Sequence, residues 1–202
     1  MTAAAEPAPD QPAPARIEGR IEGRIEVVAY DPAWPRWFDE VARGLWSALD
    51  GVPVVSIEHV GSTSVPGLWA KPVIDIDIVV GADDVMAATD ALTRVGYEPR
   101  GEMGVPGRHA FRAPDGPMRN TYVVVDGCLS LRNHVGLREV LRRDAGLRDE
   151  YAAVKRALAE QLTVDRIDEY VEGKSAIVRR ILLAAGLTES ELDAVEDVNR
   201  AD

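Results

Sequence analysis

One cysteine in 202 residues excludes a disulfide within the chain. Cys128 stands alone, a thiol usage that fits a reducing compartment. It reads as a small buried apolar side chain. Positive charge is scarce as well: 23 Lys and Arg stand against 34 Asp and Glu, for a net charge of -11. Such a surface repels the phosphates of DNA or RNA, which removes broad nucleic-acid binding and leaves room only for a local basic cleft. No uninterrupted apolar run approaches the roughly 20 residues of a membrane span. No charged, then apolar, then small-residue leader opens the chain. The expected location is therefore cytoplasmic, with neither a membrane nor a nucleic acid as partner. What is present, 46% hydrophobic and 28% charged residues, is ordinary for a globular domain.

Residues 1–15 are Ala/Pro-rich and cannot pack a core, so a disordered tail is expected there. Ile17-Glu18-Gly19-Arg20 then repeats as Ile21-Glu22-Gly23-Arg24, a cleavage-tag-like tandem or a short natural duplication. The expected organisation is a tail over 1–24, one α/β (α+β) domain over 25–187, and an acidic terminal helix over 188–202. Thr188 and Glu191 form a capping box for that helix, which reads as peripheral. Within the domain, periodicity predicts strands over 25–30, 54–60, 73–80, 97–100, 108–112 and 119–125. It predicts helices over 36–49, 83–95, 128–143, 146–161 and 165–185. The result is a mixed β-sheet flanked by helices with a helical C-terminal half. Trp34, Trp37 and Trp46 read as packing anchors, and Gly101 to Gly107 as a mobile loop.

The chemistry concentrates between residues 57 and 80. The first strong strand stops at Gly61. Gly61, Ser62, Thr63, Ser64 and Gly67 then leave the backbone uncluttered, so its N–H groups can be aimed at an anion. Pro72 cannot sit inside a ladder and marks the start of the next strand. From there Ile74, Ile76 and Ile78 point one way, and Asp75 and Asp77 the other, about 7 Å apart. Two carboxylates on one face repel unless they share a proton, bind a cation or sit in water. Mg²⁺, or Mn²⁺, held by Asp75 and Asp77 together with substrate phosphates is the hard-cation solution. The alternative is that both are the wet face of a half-buried strand.

Glu58 to Gly67, followed by Ala70-Lys71-Pro72-Val73-Ile74-Asp75-Ile76, closely resembles the signature of the GrpB family, a branch of the nucleotidyltransferase superfamily. Gly61-Ser62 and Asp75-Ile76-Asp77 match the wider superfamily pattern. Tyr30-Asp31-Pro32, Leu131-Arg132-Asn133-His134, Tyr151 to Lys155 and Tyr170 to Lys174 extend the resemblance over roughly 27–187. It implies a nucleotidyltransferase-like fold and a nucleoside triphosphate as co-substrate. Active members of the superfamily usually carry a third acid on a neighbouring strand. Residues 119–125 hold no carboxylate, and Thr121 and Tyr122 stand where many relatives have histidines. Asp126, just beyond, is the remaining candidate catalytic acid, or else simply begins the Asp126-Gly127 turn.

Other candidates are weaker. His134, Arg138 and Arg142 form one helical stripe, either a polyphosphate clamp or a solvated basic face. Lys71 lies between the loop and the acid strand, well placed to meet a phosphate. Lys155 and Lys174 are uninformative by spacing, and only the resemblance raises them, Lys174 the more. His59 orients the loop or faces substrate. The expected function is Mg²⁺-dependent nucleotidyl or phosphoryl transfer to a small-molecule acceptor. Asp75, Asp77 and Asp126 are the expected catalytic residues. Gly61, Ser62, Thr63, Lys71, His134, Arg138 and Lys174 are the expected phosphate contacts. The rival expectation is an inactive nucleotide-binding or regulatory module that helps a protein partner. That fits the occurrence of GrpB-like domains fused to a dephospho-coenzyme-A kinase domain. A third is a stand-alone interaction protein using its acidic surface.

Overall fold

The structure, a computed structural model, describes residues 23–116 and 118–201, with side chains as far as residue 197. The Ala/Pro tail and most of the tandem lie outside the described residues. Gly23 and Arg24, which end the tandem, pair with Val164 and Thr163.

Five strands form one mixed sheet in the order β1-β2-β5-β4-β3. They are β1 (Val54–Val60), β2 (Ile74–Val80), β3 (Glu98–Gly101), β4 (Arg108–Arg112) and β5 (Arg119–Val125). β2 runs parallel to β5, and the other neighbours are antiparallel. The alternation read in β2 sets the layering. Ile74, Ile76 and Ile78 are fully buried against Trp34, Leu45 and Leu49 of α1 (Trp34–Ala48) and its end, and against Ala88 and Leu92 of α2 (Val85–Arg94). Each isoleucine removed from water there contributes about 1.5–3 kcal/mol.

The opposite, acid-bearing face looks toward the helical half. That half comprises α3 (Leu129–Arg143), α4 (Ala145–Gln161), α5 (Ile167–Glu172), α6 (Ser175–Ala184) and α7 (Glu189–Ala201). The small-residue loop after β1 is tied into it by Val65 and Leu68. Both are completely buried among Val140, Leu141, Tyr151 and Ile181. The loop is thus fixed from behind while its Gly61-Ser62 end faces the acids.

Four expectations change. Residues 25–30 are not a strand, because Arg24 and Val28 bridge two different partners, Thr163 and Ala70, and no continuous ladder can form. The long helix over 165–185 breaks into α5 and α6 at Gly173, where a Cβ would come within 2.6 Å of Leu158 Cδ2. Trp46 is 47% exposed and anchors nothing, whereas Trp34 is in the core. α7 is not peripheral: Leu192 is buried, and Arg179 pairs with Glu189, Asp193 and Glu196. Its capping box is present as read, with Thr188 N–H donating to Glu191 and Glu191 N–H to the Thr188 hydroxyl. No helix among the described residues is long and apolar enough to cross a membrane.

Candidate active site

The loop between β1 and β2 owes its path to Gly61. Its φ is +68°, and a Cβ there would overlap the Asp75 carboxylate. Only glycine lets the backbone lie directly on that acid. Thr63 and Ser64 brace the turn from inside. Ser64 donates to Gly61 O at 2.6 Å, and the buried Thr63 hydroxyl donates to Val73 O at 3.2 Å. With its one proton committed, Thr63 accepts from His59 Nε2 at 3.1 Å. His59 stacks on Phe38, and burial, then the Arg142 and Arg138 charges, pull its pKa down to about 4. Thr63 and His59 therefore hold the loop rather than a phosphate.

Register brings the acids together with their neighbours. Asp75 lies opposite Asn120 of β5, and Asp77 opposite Tyr122. Asn120 Nδ2 donates to Asp75 Oδ1 at 2.7 Å. Burial raises the Asp75 pKa, outweighing that bond and the pull of His134. Asp77 is wholly buried, and His134 Nδ1 donates to its Oδ2 at 2.8 Å. Burial works against the charged imidazole, but Asp77 and Asp75 carry the His134 pKa upward. The other oxygen, Asp77 Oδ1, is buried without a hydrogen-bond partner. An orphaned carboxylate oxygen beside a second carboxylate is the donor set a hard cation takes, so the residues fit Mg²⁺. They supply two carboxylates and no more. Among the described residues no group of three His, Cys, Asp or Glu is gathered to hold a metal, so substrate oxygens and water would complete any shell.

In front of Asp75 opens a cavity of about 270 Å³. Gly61, Ser62, Lys71, Asp75, His134 and Lys174 line it, as the sequence suggested. So does Lys155, whose spacing alone had said nothing. Lys155 is 2% exposed; its Nζ donates to Ser62 Oγ at 3.0 Å and lies 4.5 Å from the centre of the Tyr151 ring. Lys174 Nζ sits 4.4 Å from the centre of the Tyr170 ring. Burial, then the Lys174 charge, lowers the Lys155 pKa to about 7. Burial, then Lys71, lowers that of Lys174 to about 8. Lys71 moves the same way, burial outweighing the attraction of Asp75. Burial pushes the Tyr151 phenol up to about 12, against the hydrogen bond with Ser62, which lowers it. Burial thus lowers the pKa of all three amines that line the cleft.

The expected phosphate contact Arg138, its stripe neighbour Arg142 and the candidate acid Asp126 lie elsewhere. Arg138 donates to Glu58 Oε2 at 2.8 Å and to His59 O at 3.0 Å, so it ties α3 to β1 and does not line the cavity. Arg142 is likewise engaged, with the Ser64 carbonyl. Of the stripe, His134 lines the cavity, whereas Arg138 and Arg142 are engaged by the protein. Asp126 is at the wrong end of the sheet: its N–H bonds Val80 O, five residues along β2 from Asp75, about 16 Å away at strand rise. No carboxylate of β5 faces the cleft, since Asn120 and Tyr122 occupy the two positions beside the acids.

The family model described as GrpB protein matches residues 24–183. The chain belongs to the GrpB family. It is 40% identical over 167 residues to a UPF0157 protein of Halalkalibacterium halodurans, covering 81% of this chain and 84% of that one. It is 27% identical to the glutamate-rich protein GrpB of Alkalihalophilus pseudofirmus, over 81% of this chain and 97% of the relative. The crystal structure of the conserved protein GrpB from Enterococcus faecalis superposes with a TM-score of 0.70 at 33% identity, over 79% of this chain and 96% of that chain. The two chains thus share one fold, which in this chain is a mixed sheet flanked by helices.

Proposed function

We propose that this GrpB protein binds a Mg²⁺–nucleoside triphosphate in the lysine-lined cleft and transfers a nucleotidyl or phosphoryl group to a small-molecule acceptor. One observation carries the reading. Lys71, Lys155 and Lys174 converge on Ser62 and Asp75, and among the described residues no carboxylate forms an ion pair with any of the three. Such a cluster is unstable alone and matches a polyphosphate. Gly61 and Ser62 offer the close backbone approach that phosphates require. Asp75 and Asp77 would hold the metal, which supplies charge neutralisation at phosphorus. His134 keeps the Asp77 carboxylate oriented by donating its Nδ1 proton. In the transfer, an acceptor oxygen bonds to phosphorus as the bond to pyrophosphate or nucleoside diphosphate breaks, and the acceptor proton passes to solvent or a nearby base.

Asn120 supports a second reading. It sits beside Asp75, on a strand, β5, that holds no carboxylate, which favours a nucleotide-binding module without turnover. Titration of each nucleoside triphosphate with Mg²⁺ into wild type and into the Asp75→Asn, Asp77→Asn double variant tests the first. Metal-dependent binding lost in the double variant is expected. Equal binding to both would remove the acids from the site. Pyrophosphate or phosphate release in the presence of acceptor candidates then separates transferase from binding module.

A further inference from the structure

A second cavity, of about 760 Å³, lies on the other side of Asn133 and His134, which line both spaces. Its size falls within the usual range for small-molecule sites. Its walls come from three places: the Gly104–Gly107 turn, the start of α3 with Leu129, and the inner side of α7 with Val195. Val105, Pro106, Val125, Leu129 and Val195 make the lining chiefly apolar. The turn is not the mobile loop its glycines suggested. Gly107 N–H donates to Glu102 Oε1 at 2.7 Å, Arg108 N–H to Val105 O, and Val125 N–H to Gly107 O. This wall is built in advance of any ligand.

One cation stands in that apolar space. The Arg108 guanidinium lies 4.8 Å from the centre of the Tyr122 ring, and its Nε is buried without a hydrogen-bond partner. Among the described residues no carboxylate forms an ion pair with it. The carboxylate lining the cavity, Asp197 on α7, is exposed. A stacked, unneutralised arginine inside an apolar cavity fits a ligand with one anionic group and an apolar body. The position says what such a ligand is for. Tyr122 links Arg108 to Asp77 through sheet register, and His134 is shared with the lysine cleft. His134, which lines this cavity, is hydrogen-bonded to Asp77, so a molecule seated here would lie one side chain away from the acids.

We propose that this cavity is the acceptor site, and that the acceptor is a small amphiphilic anion whose carboxylate, sulfonate or phosphate pairs with Arg108. Its role depends on the transferase reading above; its location does not. The probe is 8-anilinonaphthalene-1-sulfonate, an apolar body with one anionic group, titrated by fluorescence into the full chain. The neutral N-phenyl-1-naphthylamine is run in parallel. Saturable one-to-one sulfonate binding is expected, weakened tenfold or more by Arg108→Gln and less by Arg108→Lys, with the neutral probe changed less than twofold. Cys128 also lines the cavity, and as the sole cysteine it gives an unambiguous mass readout. Saturating probe should slow its alkylation in wild type, a result that needs no variant to fold. Unchanged sulfonate affinity in Arg108→Gln, or no protection of Cys128, overturns the site. Displacement of the sulfonate by a Mg²⁺–nucleoside triphosphate would make the two cavities one and overturn it as well. Sulfonate binding at Arg108 in a protein that binds no nucleotide overturns only the acceptor role, and with it the transferase reading.

Discussion

The arginines of α3 and the lysines of the cleft both carry positive charge into the packed region between sheet and helices, and they are treated differently. Along the inner face of α3, each arginine is answered by the protein: Arg138 by Glu58 and the His59 carbonyl, Arg142 by the Ser64 carbonyl. In the cleft between the Gly61-Ser62 loop and α4–α6, Lys155 and Lys174 find tyrosine faces and a serine hydroxyl and, among the described residues, no carboxylate ion pair. A cation that serves the fold is neutralised by the fold. A cation kept for a ligand is supported by groups that stabilise charge without cancelling it. The difference separates framework from site more sharply than residue type or helical spacing, both of which had favoured the arginines.

The strongest way to break this contrast is to empty the cleft. Lys155→Met with Lys174→Met should lower affinity for a Mg²⁺–triphosphate by a hundredfold or more, since charge-assisted bonds contribute about 1.5–3 kcal/mol each. Calorimetric titration reads it; affinity within a few-fold of wild type would mean that the lysines are decoration. Stability sharpens the contrast next. Arg138→Met should cost about 2–3 kcal/mol in urea unfolding, because Glu58 loses the partner that holds its pKa down against burial. Lys155→Met should instead raise stability, by about 1 kcal/mol or more, because it removes a dry, unneutralised amine. If both variants were equally destabilised, the two regions would not differ in kind.

The smallest effect is a pH slope. Lys155 titrates near 7 and Lys174 near 8 in the folded chain, against 10.5 as the ordinary value. Between about pH 7 and 10 the unfolded chain therefore binds more protons at these positions, and unfolding free energy should rise with pH. Above pH 10 the sign reverses. Burial pushes Tyr122 and Tyr151 to about 12, so the unfolded chain loses phenolic protons that the folded one keeps. Chemical unfolding at constant ionic strength should show the maximum near pH 10 in wild type and a flatter rise in Lys155→Met. A wild-type curve that falls steadily from pH 7 would contradict the lysine shifts.

Much of the framework was legible in the sequence. The Ile/Asp alternation of β2 settles which face is core and which carries the acids, because a strand has period two and nothing local competes with it. Gly61 was legible as a loop glycine, though not that it lies on Asp75; that contact joins residues 14 positions apart and no local pattern carries it. Lys155 was missed because a lysine on a helix is ordinarily solvated. The available signal was pairing: Tyr151 and Lys155, then Tyr170 and Lys174, repeat one Tyr-x-x-x-Lys device that puts an amine over an aromatic face. Arg138 and Arg142 misled for the converse reason, since a one-sided stripe does not reveal whether it faces a ligand, water or a neighbouring strand. Asp126 was proposed from proximity in sequence to β5, whereas the parallel pairing of β5 with β2 carries it to the far end of the sheet.

The central claim is that the lysine cleft is an anion site held short of full charge until its ligand binds. Its most direct test is calorimetry of a Mg²⁺–nucleoside triphosphate at pH 8 in two buffers of different ionisation enthalpy. The account predicts binding with net proton uptake, seen as a buffer-dependent heat, and loss of that uptake in the Lys155→Met, Lys174→Met variant. Binding with identical heats in both buffers, or no binding of any triphosphate, would contradict it.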